Sequence, residues 1–166
     1  MELLLLRHAK AVPQGTEGVS DADRPLTAEG ARDAETLGRF LRRVDCIPGK
    51  IFSSPLLRAR QTTGALLYAA GISAPALEFT EVLKPGCAPV DLQAFLTLRA
   101  GRSDRVLIVG HQPDLGRFIG AIMGLEEAAV QLATCAVARV DVERPDVDWS
   151  GYLVWLWTPE TYSRLV

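Results

Sequence analysis

The chain has 166 residues, 48% of them hydrophobic and 23% charged, enough for one globular domain with a sizeable core. Its net charge of −2 gives none of the basic excess that marks nucleic-acid binders. The "LLLL" near the start is too short for a signal peptide and is cut by Arg7, and no stretch approaches about 18 apolar residues, so neither secretion nor a membrane span is expected.

Residues 3–6 form a short continuous apolar run. Leucine is a modest strand former, so a strand here leans on position and on the Arg7 and His8 pair that ends the run. Residues 12–25, "VPQGTEGVSDADRP", read as a long surface loop. Residues 25–44 read as a helix with Thr27 as N-cap. Ala34, Leu37, Leu41 and Val44 fall near helical spacing, and Arg39, Arg42 and Arg43 are free for solvent. "KIFSS" is a brief strand. Residues 55–71 read as a second helix, with Pro55 in its first turn and Gly71 as its stop.

"ALEFT" is a third short strand, and residues 89–101 a helix with Leu92, Phe95, Leu96 and Leu98 apolar. "RVLIVG" is the clearest strand, rich in β-branched residues, as buried strands of parallel sheets are. Residues 113–124 read as a helix. "CAVARVDVE" and "GYLVWLWTP" alternate enough for a closing antiparallel hairpin. The alternation of strand and helix predicts an α/β fold in one domain over residues 1–166. Its sheet is mainly parallel and flanked by helices, with an antiparallel C-terminal edge. Cys46, Cys87 and Cys135 are scattered, without a CxxC pair. They read as buried small residues in a reducing compartment, and the expected location is cytoplasmic.

The chain has two histidines, His8 and His111, and each stands where an apolar run stops. Ligands of open α/β sheets bind beyond the carboxyl ends of the strands. Arg7 and His8 leave the first strand there, Ser53, Ser54 and Arg58 come after the second, and Gly110 and His111 after "RVLIVG". Two imidazoles and at least two guanidiniums would converge in one cleft. Guanidiniums offer forked donors suited to carboxylate and phosphate oxygens. A histidine among them is a candidate nucleophile, because nearby cations favour its neutral form and also neutralise an incoming phosphoryl group. A two-histidine metal site lacks a third ligand at convincing spacing, so no metal and no cofactor are expected.

"LLLLRHAKA", "DRPLTAEG", "SSPLLRARQT" and "IVGHQP", in that order, resemble the histidine phosphatase superfamily, with its phosphoglycerate mutase-like fold, and within it the small bacterial phosphohistidine phosphatases. The resemblance spans roughly residues 3–120. It implies that His8 is the nucleophile that becomes phosphorylated. It also implies that Arg7 and Arg58 bind phosphate, that His111 binds the phosphoryl oxygens, and that no metal is needed. Ala9 replaces the usual glycine after the nucleophile. Larger members carry an acid near the third strand; here Glu81, in "FTEVLKPG", is the nearby candidate, aligned only loosely.

An alkoxide leaves poorly without a proton donor, whereas a phosphohistidine ring departs as neutral imidazole, so the weak acid position tilts toward P–N hydrolysis. The expected partner is a phosphate-bearing substrate, with a histidine-phosphorylated signalling protein favoured. The rivals are a phosphatase or mutase for a small phosphorylated metabolite, and a phosphate-recognition module without turnover. Arg58 and Arg60 lie two apart and do not share a helix face, so one faces the cleft; motif position selects Arg58. Arg24 is read as a loop anchor paired with Asp21 or Asp23, and Ser53 as a structural hydroxyl without a nucleophile elbow. Lys10 is left open between extending the positive field and solvation. Gln112 and Pro113 open the helix after His111, and Trp155 and Trp157 share a core-facing side.

Overall fold

The computed structural model describes residues 1–73, 76–101, 103–125, 130–145 and 148–166. Six strands form one sheet: β1 (Glu2–Arg7), β2 (Lys50–Ser53), β3 (Ala76–Phe79), β4 (Arg105–Gly110), β5 (Val137–Arg144) and β6 (Asp148–Trp157). They lie in the order β3-β2-β4-β1-β5-β6. β3, β2, β4 and β1 run parallel, while β5 and β6 add an antiparallel edge, as the alternating C-terminal residues predict.

Both faces of the sheet are covered, which explains the near-continuous apolar runs of β1 and β4. Leu3, Leu5, Val106 and Ile108 meet α3 (Pro89–Arg99) and α4 (Asp114–Ile122) through Leu92, Leu96, Phe118 and Ile119. Leu4, Leu6, Leu107 and Val109 face α1 (Ala28–Arg43) and α2 (Leu57–Ala70) through Leu37, Leu41, Ala59 and Leu66. The strict alternation comes from the period of two along a strand.

Thr27 caps α1, its side chain accepting from the Gly30 N–H, and Gly71 ends α2 in the left-handed conformation, both as expected. Pro55 does not sit in the first turn of α2. The helix begins at Leu57 with Leu56 as N-cap, because β2 must first turn out of the sheet. Two short elements escape the periodicity argument: a 3-10 turn at Glu81–Leu83 and α5 (Pro159–Tyr162), which buries Tyr162 against Phe40. In β6 the ladder shifts register opposite Arg139 and Val140. The shift lets Trp155 and Trp157 face one side while Leu153 and Leu156 face the other. Among the described residues no helix is long and apolar enough to cross a membrane.

α1 and α2 approach closely at Gly38, where a Cβ would strike the Leu66 carbonyl oxygen. Gly38→Ala should therefore destabilise the protein by about 2 kcal/mol or more, as overpacking against rigid backbone does. Chemical denaturation checks this; a loss under about 0.5 kcal/mol would contradict the close approach.

Candidate active site

The site is assembled by strand register. Arg7 of β1 stands opposite Gly110 of β4, and in each strand the next residue is a histidine. The His8 N–H donates to the Gly110 carbonyl at 3.0 Å, carrying the ladder one step further. The two rings come to rest with centroids 5.0 Å apart and planes inclined at 58°. Both are buried, 8% and 4% exposed. On the other side of β4, Ser53 of β2 pairs with Val109, which brings Ser54 to within 2.8 Å of His111 Nε2 through its hydroxyl.

His8 Nδ1 lies 2.8 Å from the Ala9 carbonyl oxygen. A carbonyl only accepts, so Nδ1 carries the proton and the lone pair sits on Nε2. Ala9 is itself held, its N–H donating to Thr62 Oγ1 at 2.9 Å while the same hydroxyl donates to the Arg58 carbonyl at 2.7 Å. The first turns of α2 and the backbone after β1 are thus tied by one buried hydroxyl.

Arg58 is 2% exposed and Arg7 half-buried. Arg7 Nη1 donates to the Leu132 carbonyl at 2.8 Å. Arg58 Nη1 donates to the Asp21 carbonyl at 2.6 Å, and its Nη2 to Asp21 Oδ2 at 3.3 Å. The Nε atoms of both arginines are buried with no acceptor among the described residues. Buried donors are ordinarily matched, and an oxyanion supplies the acceptors that a pair of guanidiniums needs.

These surroundings hold both rings neutral. His8 is lowered from 6.5 to about 4, chiefly by burial; the bond to Ala9 opposes the shift, and Arg58, Arg7 and Arg24 add to it. His111 is lowered to about 3 by burial, then by His8 and Arg58. For Asp21, burial pushes the carboxyl up, but Arg58 and Arg24 outweigh it and hold the group below its usual range.

Of the residues singled out in the sequence, His8, His111, Arg7 and Arg58 share one site, and Arg60 turns away to lie over the Phe79 ring at 5.1 Å. Glu81 makes no hydrogen bond or ion pair with these four among the described residues: its side chain is 75% exposed and paired with Lys84 at 2.6 Å. The cavity that it borders with Ala22, Asp23, Arg60 and Lys84 touches none of the four. Arg24 anchors the loop, bonding Asp21 Oδ1 and the Val12 carbonyl, each at 2.9 Å. Lys10 pairs with Glu29 at the surface, and Ser53 is buried with its hydroxyl bonded to the Ser54 carbonyl. Gln112 Nε2 donates to the Val130 carbonyl at 3.1 Å. Among the described residues no group of three or more His, Cys, Asp or Glu is arranged to hold a metal. Sequence reasoning passed over Thr62 and the link of Ser54 to His111, and saw Asp21 only as a partner for Arg24. The "DADR" run beside the helix start was the available signal.

Neutral buried rings make stability depend on pH with a definite sign. Between the unfolded value of 6.5 and the folded value of about 4, the unfolded chain binds a proton at residue 8 that the folded chain refuses. The contribution is whole above 6.5 and lost as the pH falls toward 4. From pH 7 to pH 5, His8→Asn should therefore lose about 2 kcal/mol less than the parent. Urea unfolding at both pH values checks this; equal losses would contradict a neutral ring.

Comparison with known proteins agrees with the geometry. The profile of the histidine phosphatase superfamily (branch 1) matches residues 3–82. An uncharacterized protein of Picosynechococcus sp. is 34% identical over 122 residues, spanning 74% of this chain and 73% of its own. Phosphohistidine phosphatase SixA of Escherichia coli is 27% identical over 162 residues, 96% of this chain and 94% of its own. A solved structure of the protein histidine phosphatase SixA complexed with tungstate superposes with a TM-score of 0.83 at 24% identity, covering 96% of this chain and 97% of the other, and so shares its fold. A chain with these four motifs, this mixed sheet and relatives of such identity and coverage belongs to the histidine phosphatase superfamily.

Proposed function

We propose that this protein is a phosphatase that removes the phosphoryl group from phosphohistidine on another protein, through a covalent intermediate on His8. The observation that carries the proposal is His8 itself: a neutral ring with a defined tautomer, set among guanidiniums, whose Nε2 makes no hydrogen bond among the described residues. Nε2 attacks phosphorus in line, the new N–P bond forms, and the bond to the leaving group breaks. Nδ1–H stays on the Ala9 carbonyl, which steadies the positive charge that the ring gains. Arg7, Arg58 and His111 hold the non-bridging oxygens and offset the negative charge that would repel attack. Water then displaces the phosphoryl group from Nε2, and neutral His8 returns. No metal or cofactor takes part in these steps.

The preference for phosphohistidine comes from the acids on hand. Oxygen leaving groups need a proton donor. Glu81 faces solvent, paired with Lys84, and Asp21 is held ionised by two arginines. A phosphorylated imidazole needs no strong acid, because it departs as a neutral ring. The likeness to SixA, named a phosphohistidine phosphatase, supports the same substrate class.

A substrate panel with a metal chelator present tests the proposal. A histidine-phosphorylated protein should be turned over with kcat/KM at least about tenfold above sugar phosphates and nitrophenyl phosphate, a preference worth about 1.4 kcal/mol in the transition state. Arg58→Gln should cost about 10²–10³ in kcat/KM, as loss of a transition-state donor does. Glu81→Gln should change phosphohistidine turnover by less than about twofold, since an exposed residue outside the reacting groups leaves the barrier unchanged. Preference for a sugar phosphate, with a large loss in Glu81→Gln, would favour the small-metabolite alternative; no turnover of any substrate would favour a recognition module.

A further inference from the structure

Asp21 carries the one carboxylate among the described residues that pairs with any of the four site residues. It sits in the loop before α1, with its side chain 46% exposed. Oδ1 accepts from Arg24 and Oδ2 from Arg58 at the long distance of 3.3 Å. An ionised carboxylate has about four acceptor positions, so acceptor capacity remains on its open side. Arg58 gives one N–H of each Nη to Asp21 and keeps Nε unpartnered, so an anion bound to this guanidinium lies next to the Asp21 carboxylate. The field of Asp21 also reaches His111.

A fixed negative charge beside a phosphate site opposes the phosphate and favours a neighbour that presents N–H or positive charge. The four site residues account for the phosphoryl group without it. Beyond tying Arg24 and Arg58, its free acceptor positions are open to the leaving group.

We propose that Asp21 selects that leaving group: its carboxylate accepts the N–H of the substrate's imidazole ring, on the nitrogen that does not carry phosphorus. This deepens, and rests on, the phosphohistidine reading of the same site. The step balances without an acid. The substrate enters as an N-phosphoimidazolium, protonated by solvent on its free nitrogen. His8 Nε2 gives its lone pair to phosphorus, the substrate N–P bond breaks, and its electron pair returns to the substrate ring. That ring leaves neutral with its N–H still on Asp21, while His8 becomes the N-phosphoimidazolium with its own N–H still on the Ala9 carbonyl. Phosphorus passes between two like rings, each held by one acceptor, and no proton moves. A nitrophenolate presents neither N–H nor O–H and gains nothing from the carboxylate.

Asp21→Asn tests the idea because the main-chain acceptor for Arg58 Nη1 remains and the amide oxygen still accepts from one arginine. Three quantities are measured for parent and variant: kcat/KM on a phosphohistidine peptide, kcat/KM on nitrophenyl phosphate, and inhibition by inorganic phosphate. The ratio of the first two should fall about tenfold or more, the scale of one charge-assisted hydrogen bond, while phosphate inhibits as well or better. An unchanged ratio, or phosphate inhibition weakened in step with turnover, would mean that Asp21 merely positions Arg58 and would overturn the proposal. A parent inert toward the phosphohistidine peptide but active on sugar phosphates would overturn the substrate reading itself, a result that needs no variant to see.

Discussion

Arg7 and Gly110 face each other at the ends of two parallel strands, and that pairing sets the position of nearly every group in the site. A shift by one residue would turn one of the two adjoining rings to the opposite face of the sheet. The apolar runs cannot enforce the register by themselves, since Leu3–Leu6 and Val106–Val109 are buried on both faces. The far end of the same strands supplies what they lack. Glu2 stands opposite Arg105 and bonds its Nε at 2.5 Å, and the second Glu2 oxygen takes Arg139 of β5 at 2.9 Å. A polar clasp at one end of three adjacent strands is thus made in the same register that places the two imidazoles side by side at the other.

Electrostatics then converts position into chemistry. Burial and the neighbouring guanidiniums act in the same direction on both rings and keep them unprotonated. The site is cationic through Arg7 and Arg58, yet it holds an uncharged nitrogen with a lone pair. Positive charge and the free lone pair thus reside on different residues, and the neighbouring guanidiniums keep the lone pair unprotonated. Ala9 matters less as a side chain than as a peptide: its carbonyl fixes the His8 tautomer, and its N–H is anchored by Thr62 on α2.

The parts legible in the sequence were those written in local patterns. The apolar runs named the strands, the residues after them named His8 and His111, and the spacing of Arg58 and Arg60 foretold that they diverge. The C-terminal alternation announced an antiparallel pair. The insertion of β5 beside β1 was hidden, because it depends on pairing across more than a hundred residues. The 3-10 turn and α5 are too short to show a period. Pro55 looked like a helix start because its fixed φ suits one, but the exit from β2 takes two further residues. Asp21 was obscured by its setting in a surface loop, where charge is ordinary and nothing local shows that Arg58, 37 positions on, will reach back to it.

The most direct test of the central claim is to trap the phosphorylated protein with a labelled phosphodonor under alkaline quench and identify the modified atom by mass spectrometry and phosphorus NMR. A proton held on Nδ1 by the Ala9 carbonyl requires phosphorus on Nε2 of His8. Phosphorus on Nδ1, on His111, or on a serine or aspartate would contradict the account.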